Sequence, residues 1–148
     1  MGHSSVCFND YFYLLKDVRV EWIVCALLTE RNKLNSSVVV PAEVENMFAN
    51  WMALGSQPVS GLIQLDFDDY LTTKESLNFI LMLLDYVKRS VVEFGEITPG
   101  SYVNHIPEMA LANYVDFPTK EWLKTISQVR SVLTGTVKNG KCCGKLPT

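Results

Sequence analysis

The chain has 148 residues, of which 48% are hydrophobic and 20% are charged. This composition is typical of one compact domain and excludes an intrinsically disordered segment. A chain of this length also buries enough surface to fold without a metal ion or a disulfide. Composition therefore excludes the small stapled scaffolds, and the fold has to be predicted from residue patterns.

Charge is distributed unevenly along the chain. Residues 1–117 contain 7 Lys/Arg and 15 Asp/Glu, a net charge of −8, whereas residues 118–148 contain 6 Lys/Arg and one acid, a net charge of +5. The acidic body repels phosphate backbones, so nucleic acid is an unfavourable partner for it, whereas basic proteins are attracted. We predict a single domain over residues 1–135 and a flexible basic tail over residues 136–148.

The first half of the chain predicts two helices and one extended segment. Residues 10–33 contain neither proline nor glycine and repeat apolar side chains at helical spacing, although residues 18–22 alternate like a strand. A second helix follows Pro41 and ends near Gly55. Residues 62–68 alternate between apolar and polar side chains, which predicts either a short strand or an extended segment.

The second half predicts further helices. A capping box at Thr72 and Glu75 opens a third helix that is apolar nearly all round and ends at Phe94. Residues 107–115 predict a short helix, and residues 118–134 predict a last one that ends at Gly135. Together these segments predict a mainly α fold, a single-domain bundle of four to five helices.

The cysteines give no sign of a metal site. Cys25 lies in an apolar run, where a thiol behaves as a small hydrophobic side chain. Cys142 and Cys143 are adjacent and lack the two-residue gap of zinc-binding pairs, so we interpret them as exposed and oxidisable. No secretory signal or membrane-spanning segment is predicted. We therefore expect a cytoplasmic protein with no membrane partner, no metal and no cofactor.

An acidic run is the sharpest local feature of the sequence. Asp66, Asp68 and Asp69 stand within four residues and are followed by Tyr70. Three interpretations remain open: a solvated turn before a helix, a Mg²⁺ site of a metal-dependent enzyme, and a docking surface for a basic partner. Without a glycine-rich phosphate loop, the enzyme is the least favoured of these.

Residues for nucleophilic catalysis are scarce. The chain has two histidines, and only His105 lies outside the first few residues. No Gly-x-Ser-x-Gly segment places a nucleophile, so we predict no catalytic site. Tyrosines beside carboxylates instead suit a polar protein interface. The predicted partner-binding residues are Asp66, Asp68, Asp69, Tyr70, Glu93, Glu96, Tyr102 and His105.

The C-terminal part contains the pattern Asp116-Phe117-Pro118-Thr119-Lys120-Glu121-Trp122, which leads into the closing helix. In this pattern, its size and its acidity, the chain resembles the small helical immunity proteins that neutralise bacterial polymorphic toxins, including those of contact-dependent growth inhibition. The resemblance implies a non-enzymatic protein whose acidic face covers a basic, nuclease-type toxin. The alternative is a helical regulatory or adaptor protein that self-associates and contacts DNA through its basic C-terminal segment.

Overall fold

The fold combines two small sheets with four helices. The computed structural model describes residues 2–110, 113–136 and 141–142. In chain order the elements are β1 (His3–Phe8), β2 (Tyr11–Lys16), α1 (Asp17–Asn32), α2 (Ala42–Gly55), β3 (Leu65–Asp66), α3 (Lys74–Phe94), β4 (Ile97–Thr98), β5 (Phe117–Pro118), α4 (Thr119–Thr134) and β6 (Lys141–Cys142). The architecture is α+β, and the predicted mainly helical bundle is wrong.

The larger sheet has the strand order β3-β1-β2-β6. Its centre is an antiparallel hairpin in which β1 pairs with β2 from His3 opposite Lys16 to Phe8 opposite Tyr11. β3 lies parallel to β1 on one side, and β6 lies antiparallel to β2 on the other. The smaller sheet is the antiparallel pair of β4 and β5. Of the predicted tail, residues 137–140 and 143–148, including Cys143, lie outside the described residues.

The hairpin corrects the prediction for residues 10–33. Asn9 and Asp10 both have positive φ, 46° and 70°, as in the two-residue turns that join antiparallel strands. β2 follows, with Phe12 and Leu15 buried and Tyr11 and Leu14 exposed. The helix therefore begins at Asp17 instead of near residue 10. Tertiary pairing with β1 overrides the helical spacing of the apolar residues in this segment.

Three of the predicted helices are confirmed. α2 and α4 begin directly after Pro41 and Pro118, and α4 ends at Gly135 in the left-handed conformation. α3 begins one residue later than the proposed capping box, because the Thr73 side chain accepts the hydrogen bond from the Ser76 N–H. Local capping signals of this kind mark helix ends in the sequence itself.

Two connecting segments are less regular than predicted. Within residues 62–68 only β3 is a strand, and a short 3₁₀ turn (Phe67–Asp69) follows it directly. The predicted helix over residues 107–115 is wrong: turns and coil occupy its described part, and residues 111–112 lie outside the described chain. A second 3₁₀ turn (Gly100–Tyr102) stands between β4 and this segment.

A continuous apolar core joins the larger sheet to the four helices. Its centre includes the parallel rings of Trp22 on α1 and Trp122 on α4, whose centroids lie 4.3 Å apart. α3 packs against α4 and α1 and places Leu83, Leu84 and Val87 in the core with no exposed surface. None of the described helices is long and apolar enough to span a membrane.

Candidate protein-binding surface

Four aspartates gather at one end of the larger sheet. Asp66 ends β3, while Asp68 and Asp69 belong to the 3₁₀ turn that follows. The Asp68 carboxylate accepts a hydrogen bond of 3.0 Å from the Asn9 N–H, which brings the hairpin turn with Asp10 beside them. All four aspartates are exposed to solvent. We call Asp10, Asp66, Asp68 and Asp69 the acidic end.

No basic side chain of the described residues pairs with the carboxylates of the acidic end. Partial burial, together with the neighbouring charges of Asp69 and Asp68, raises the pKa of Asp66. Like charges this close repel each other, and a cationic group placed against them relieves that repulsion. The acidic end is therefore a surface that favours a basic ligand.

Aromatic side chains border the acidic end. Tyr70 follows Asp69 and is partly buried against the core, and its N–H donates to the Phe67 carbonyl oxygen at 3.1 Å. Tyr11 follows Asp10 directly and is 39% exposed. Tyrosines of this kind supply contact area with little loss of side-chain entropy when a partner binds.

The structure divides the predicted partner-binding residues into two groups. Glu93 and Glu96 are exposed, but they lie at the C-terminal end of α3, whereas the acidic end lies near its N-terminal end. A helix of 21 residues is roughly 30 Å long, so these glutamates do not flank the aspartates. The aspartates and Tyr70 form one surface, and the other predicted residues lie away from it.

Tyr102 and His105 contact the protein itself. Tyr102 is only 6% exposed, and its hydroxyl donates to the Glu30 carboxylate. His105 is exposed, but its Nε2 lies 3.0 Å from the Tyr102 carbonyl oxygen. Because a carbonyl oxygen can only accept, this nitrogen carries the proton. The Tyr102 side chain is therefore not presented to a partner.

Glu30 is the buried acid that the sequence analysis missed. It lies near the end of α1 and is 5% exposed. Its Oε2 accepts hydrogen bonds from the hydroxyls of Tyr102 and Ser90 at 2.5 and 2.9 Å, and from the Lys33 ammonium at 3.2 Å. Lys33 stands three residues after Glu30, whereas Ser90 and Tyr102 come from distant parts of the chain, so no local pattern predicts that Glu30 is buried. Three donors on one carboxylate oxygen are typical of a buried acid that ties elements of the structure together.

Neither Cys7 nor Cys25 offers an activated thiol. Cys25 has no exposed surface, and burial, with a smaller effect of the Glu21 charge, raises the pKa of its thiol to about 12. Cys7 is buried in β1 and is disulfide-bonded, which the sequence analysis did not foresee. In residues 2–110, 113–136 and 141–142, no three His, Cys, Asp or Glu side chains are arranged to hold a metal ion.

Comparison with known proteins adds no relative. No family model, no curated protein and no solved structure matches the chain. The function therefore has to be argued from the acidic end and the surfaces around it.

Proposed function

We propose that the chain is a non-catalytic protein-binding domain that neutralises a basic protein toxin, as an immunity protein does. The observation that carries this proposal is the acidic end: four exposed aspartates from two separate segments, with no ion pair in the described chain. Clustered acids that have no neighbouring counter-charge attract a positively charged partner. The resemblance noted in the sequence points to the same class of function.

The acidic end would act first at long range and then at contact. Its negative potential would speed the encounter with a basic toxin, an effect that salt weakens. At contact, the carboxylates would accept charge-assisted hydrogen bonds from lysine or arginine side chains. Tyr11 and Tyr70 would pack beside these charges, and the bound domain would cover the surface through which a nuclease holds its substrate.

Charge reversal at matched positions tests this proposal. The protein tested as partner is the product of the reading frame adjacent to that of this chain, in an inactivated form, and binding is measured by titration calorimetry at low and high salt. Asp69 and Glu93 are both exposed and form no ion pair among the described residues. Asp69→Lys and Glu93→Lys therefore change the net charge equally, but only the first changes the acidic end.

We expect Asp69→Lys to weaken binding by about tenfold or more, and Glu93→Lys to weaken it much less. Equal effects of the two variants would mean that net charge alone is sensed, and absence of binding to the basic partner would remove the proposal. Circular dichroism confirms that both variants are folded before binding is compared.

The cytoplasm is the proposed location, since an immunity protein meets an imported toxin there. The disulfide at Cys7 is instead typical of an oxidising compartment. Cell fractionation with rapid thiol trapping distinguishes the two locations: a reduced Cys7 in the cytoplasmic fraction supports the proposal, and an oxidised chain outside it contradicts the location.

A further inference from the structure

A second surface with different chemistry lies along α3 and the start of α4. One depression of about 630 Å³ has an apolar floor made by Val92, Ile97, Pro118 and Leu123. Another depression, of about 350 Å³, borders Val92 from the other side and lies along α3. Because both depressions meet at Val92, we describe them together as the α3–α4 groove.

The apolar floor is exposed to solvent. Val92 and Ile97 keep 53% and 51% of their surfaces exposed, although both are large hydrophobic side chains. The floor is open because α3 ends at Gly95, where a φ of 89° turns the chain away into β4. A side chain built on Gly95 would meet no atom within 4 Å. Adjacent exposed apolar side chains in a concave surface are typical of a docking site.

The unpaired charges of the groove are mostly positive. Asp85 is neutralised by Arg130, whose guanidinium nitrogen lies 2.9 Å from its carboxylate. Lys88, Arg89 and Lys120 line the groove and form no ion pair among the described residues, against a single unpaired acid, Glu96. This excess is local, since the chain as a whole has a net charge of −3.

We propose that the α3–α4 groove binds an acidic, amphipathic peptide segment of a second partner protein. Apolar side chains of that segment would cover Val92, Ile97 and Leu123, and its carboxylates would face Lys88, Arg89 and Lys120. The two groups of charges thus select opposite partners, a basic one at the acidic end and an acidic one at the groove. This inference does not rest on the proposed toxin neutralisation.

Two other occupants fit the groove less well. An anionic membrane would meet the same lysines, but a bilayer is flat and the apolar floor is concave, while Glu96 would face the lipid phosphates. A second copy of the chain would bring the same net-positive groove against itself, because an isologous interface pairs identical surfaces. An extended or helical acidic segment avoids both conflicts.

Selection from a displayed library of random peptides of roughly 12 residues, about three helical turns, tests the proposal. The full chain is the bait, and Val92→Asp is the counter-selection bait. We expect the enriched peptides to carry net negative charge and spaced apolar residues. No enrichment, or enrichment of neutral or basic peptides, overturns the proposal.

One enriched peptide is then measured by fluorescence anisotropy against matched variants. Lys120→Glu should weaken its binding by about tenfold or more, whereas Lys74→Glu, the same change outside the groove, should not. Val92→Asp should abolish binding, while Val39→Asp, at a valine that is 82% exposed elsewhere, should leave it unchanged. If Val92→Asp does not fold, the comparison of Lys120→Glu with Lys74→Glu tests the proposal instead. Equal effects of groove and control variants overturn the proposal.

Two further measurements address the competing occupants. Sedimentation should find a monomer, and a dimer that Val92→Asp dissociates would mean that a second copy fills the groove. Vesicles of phosphatidylcholine with phosphatidylglycerol should bind wild type and Lys120→Glu equally weakly. If vesicles bind wild type strongly and Lys120→Glu removes that binding, the groove binds a membrane and the proposal of an acidic peptide is overturned. None of these measurements uses the basic toxin, so a negative result for the groove leaves the proposed toxin neutralisation unaffected.

Discussion

The carboxylate of Glu30 accepts the hydroxyl hydrogen of Tyr102 at 2.5 Å, in a position where both side chains are buried. This contact ties the end of α1 to the 3₁₀ turn that follows β4, and Ser90 adds a donor from α3. A buried carboxylate is costly unless donors surround it. The three elements are therefore held in one arrangement by a single side chain.

Removing the Tyr102 hydroxyl tests this tie. Tyr102→Phe should lower the free energy of unfolding by about 1–3 kcal/mol, because it deprives a buried carboxylate of a donor. The control is Tyr86→Phe on α3, at a partly buried tyrosine whose hydroxyl makes no hydrogen bond within the described chain, and it should cost less. Urea denaturation measures both. A cost for Tyr102→Phe no larger than that of the control would show that water replaces the contact freely.

Asp66→Asn should stabilise the protein at neutral pH. Burial and the charges of Asp69 and Asp68 raise the pKa of Asp66, so the folded state binds its proton more tightly than the unfolded state. The charged form therefore opposes folding above that pKa, and the opposition disappears as the pH falls through it. Urea denaturation should show a higher free energy of unfolding for Asp66→Asn than for wild type at pH 7, and this difference should vanish by about pH 3. A gain that persists at the lower pH would assign the effect to something other than ionisation.

Glu43→Gln should show the opposite dependence. Hydrogen bonds from the Ser76 and Thr72 hydroxyls, with the N–H groups of Thr72 and Thr73, lower the pKa of Glu43. The charged carboxylate thus stabilises the start of α3 above its unfolded-state pKa, and this stability is lost as the pH falls through the folded-state value. The variant should be less stable than wild type at pH 7 and converge with it in acid. Glu108→Gln is the control, because Glu108 is exposed and its side chain makes no hydrogen bond among the described residues, and it should change the stability at pH 7 less than Glu43→Gln does.

Elements set by local signals were predictable from the sequence. Pro41 and Gly55 bracket α2, and Gly135 closes α4, because capping depends only on neighbouring residues. The hairpin was missed because its strands pair only through a turn with two left-handed residues, and Asn9–Asp10 is a weaker turn signal than a pair ending in glycine. β4 and β5 are two residues each and meet across about twenty residues of chain, which no local pattern encodes.

Only part of the candidate site was predictable from the sequence. Asp66, Asp68 and Asp69 are neighbours in sequence, so their grouping was visible. Asp10 joins them only because β1 lies beside β3 and brings the hairpin turn to the 3₁₀ turn. Glu30 looked like one more surface acid near a helix end with a local partner in Lys33, since its two hydroxyl donors, Ser90 and Tyr102, reach it only through tertiary packing.

Gly100 tests how firmly the coil beside the small sheet is held. A Cβ at Gly100 would lie 1.9 Å from the Tyr114 carbonyl oxygen, a backbone atom that cannot move alone. Asn104 holds Tyr114 in place with two hydrogen bonds of 2.7 Å, and the Gly100 N–H donates to Asp116 at 3.0 Å. Gly100→Ala should therefore lower the free energy of unfolding by about 1–3 kcal/mol or more.

Gly55→Ala is the matched control for this substitution. Its Cβ would also clash, at 2.2 Å, but with the sulfur of Met109, the far end of a flexible side chain. Alanine is moreover favoured over glycine at a helical position, so this variant should stay within about 1 kcal/mol of wild type. Urea denaturation of the two variants side by side separates backbone contact from side-chain contact. Equal stability of both would show that the segment carrying Tyr114 moves away from Gly100 at little cost, and that the small sheet flanking the α3–α4 groove is not held rigidly by it.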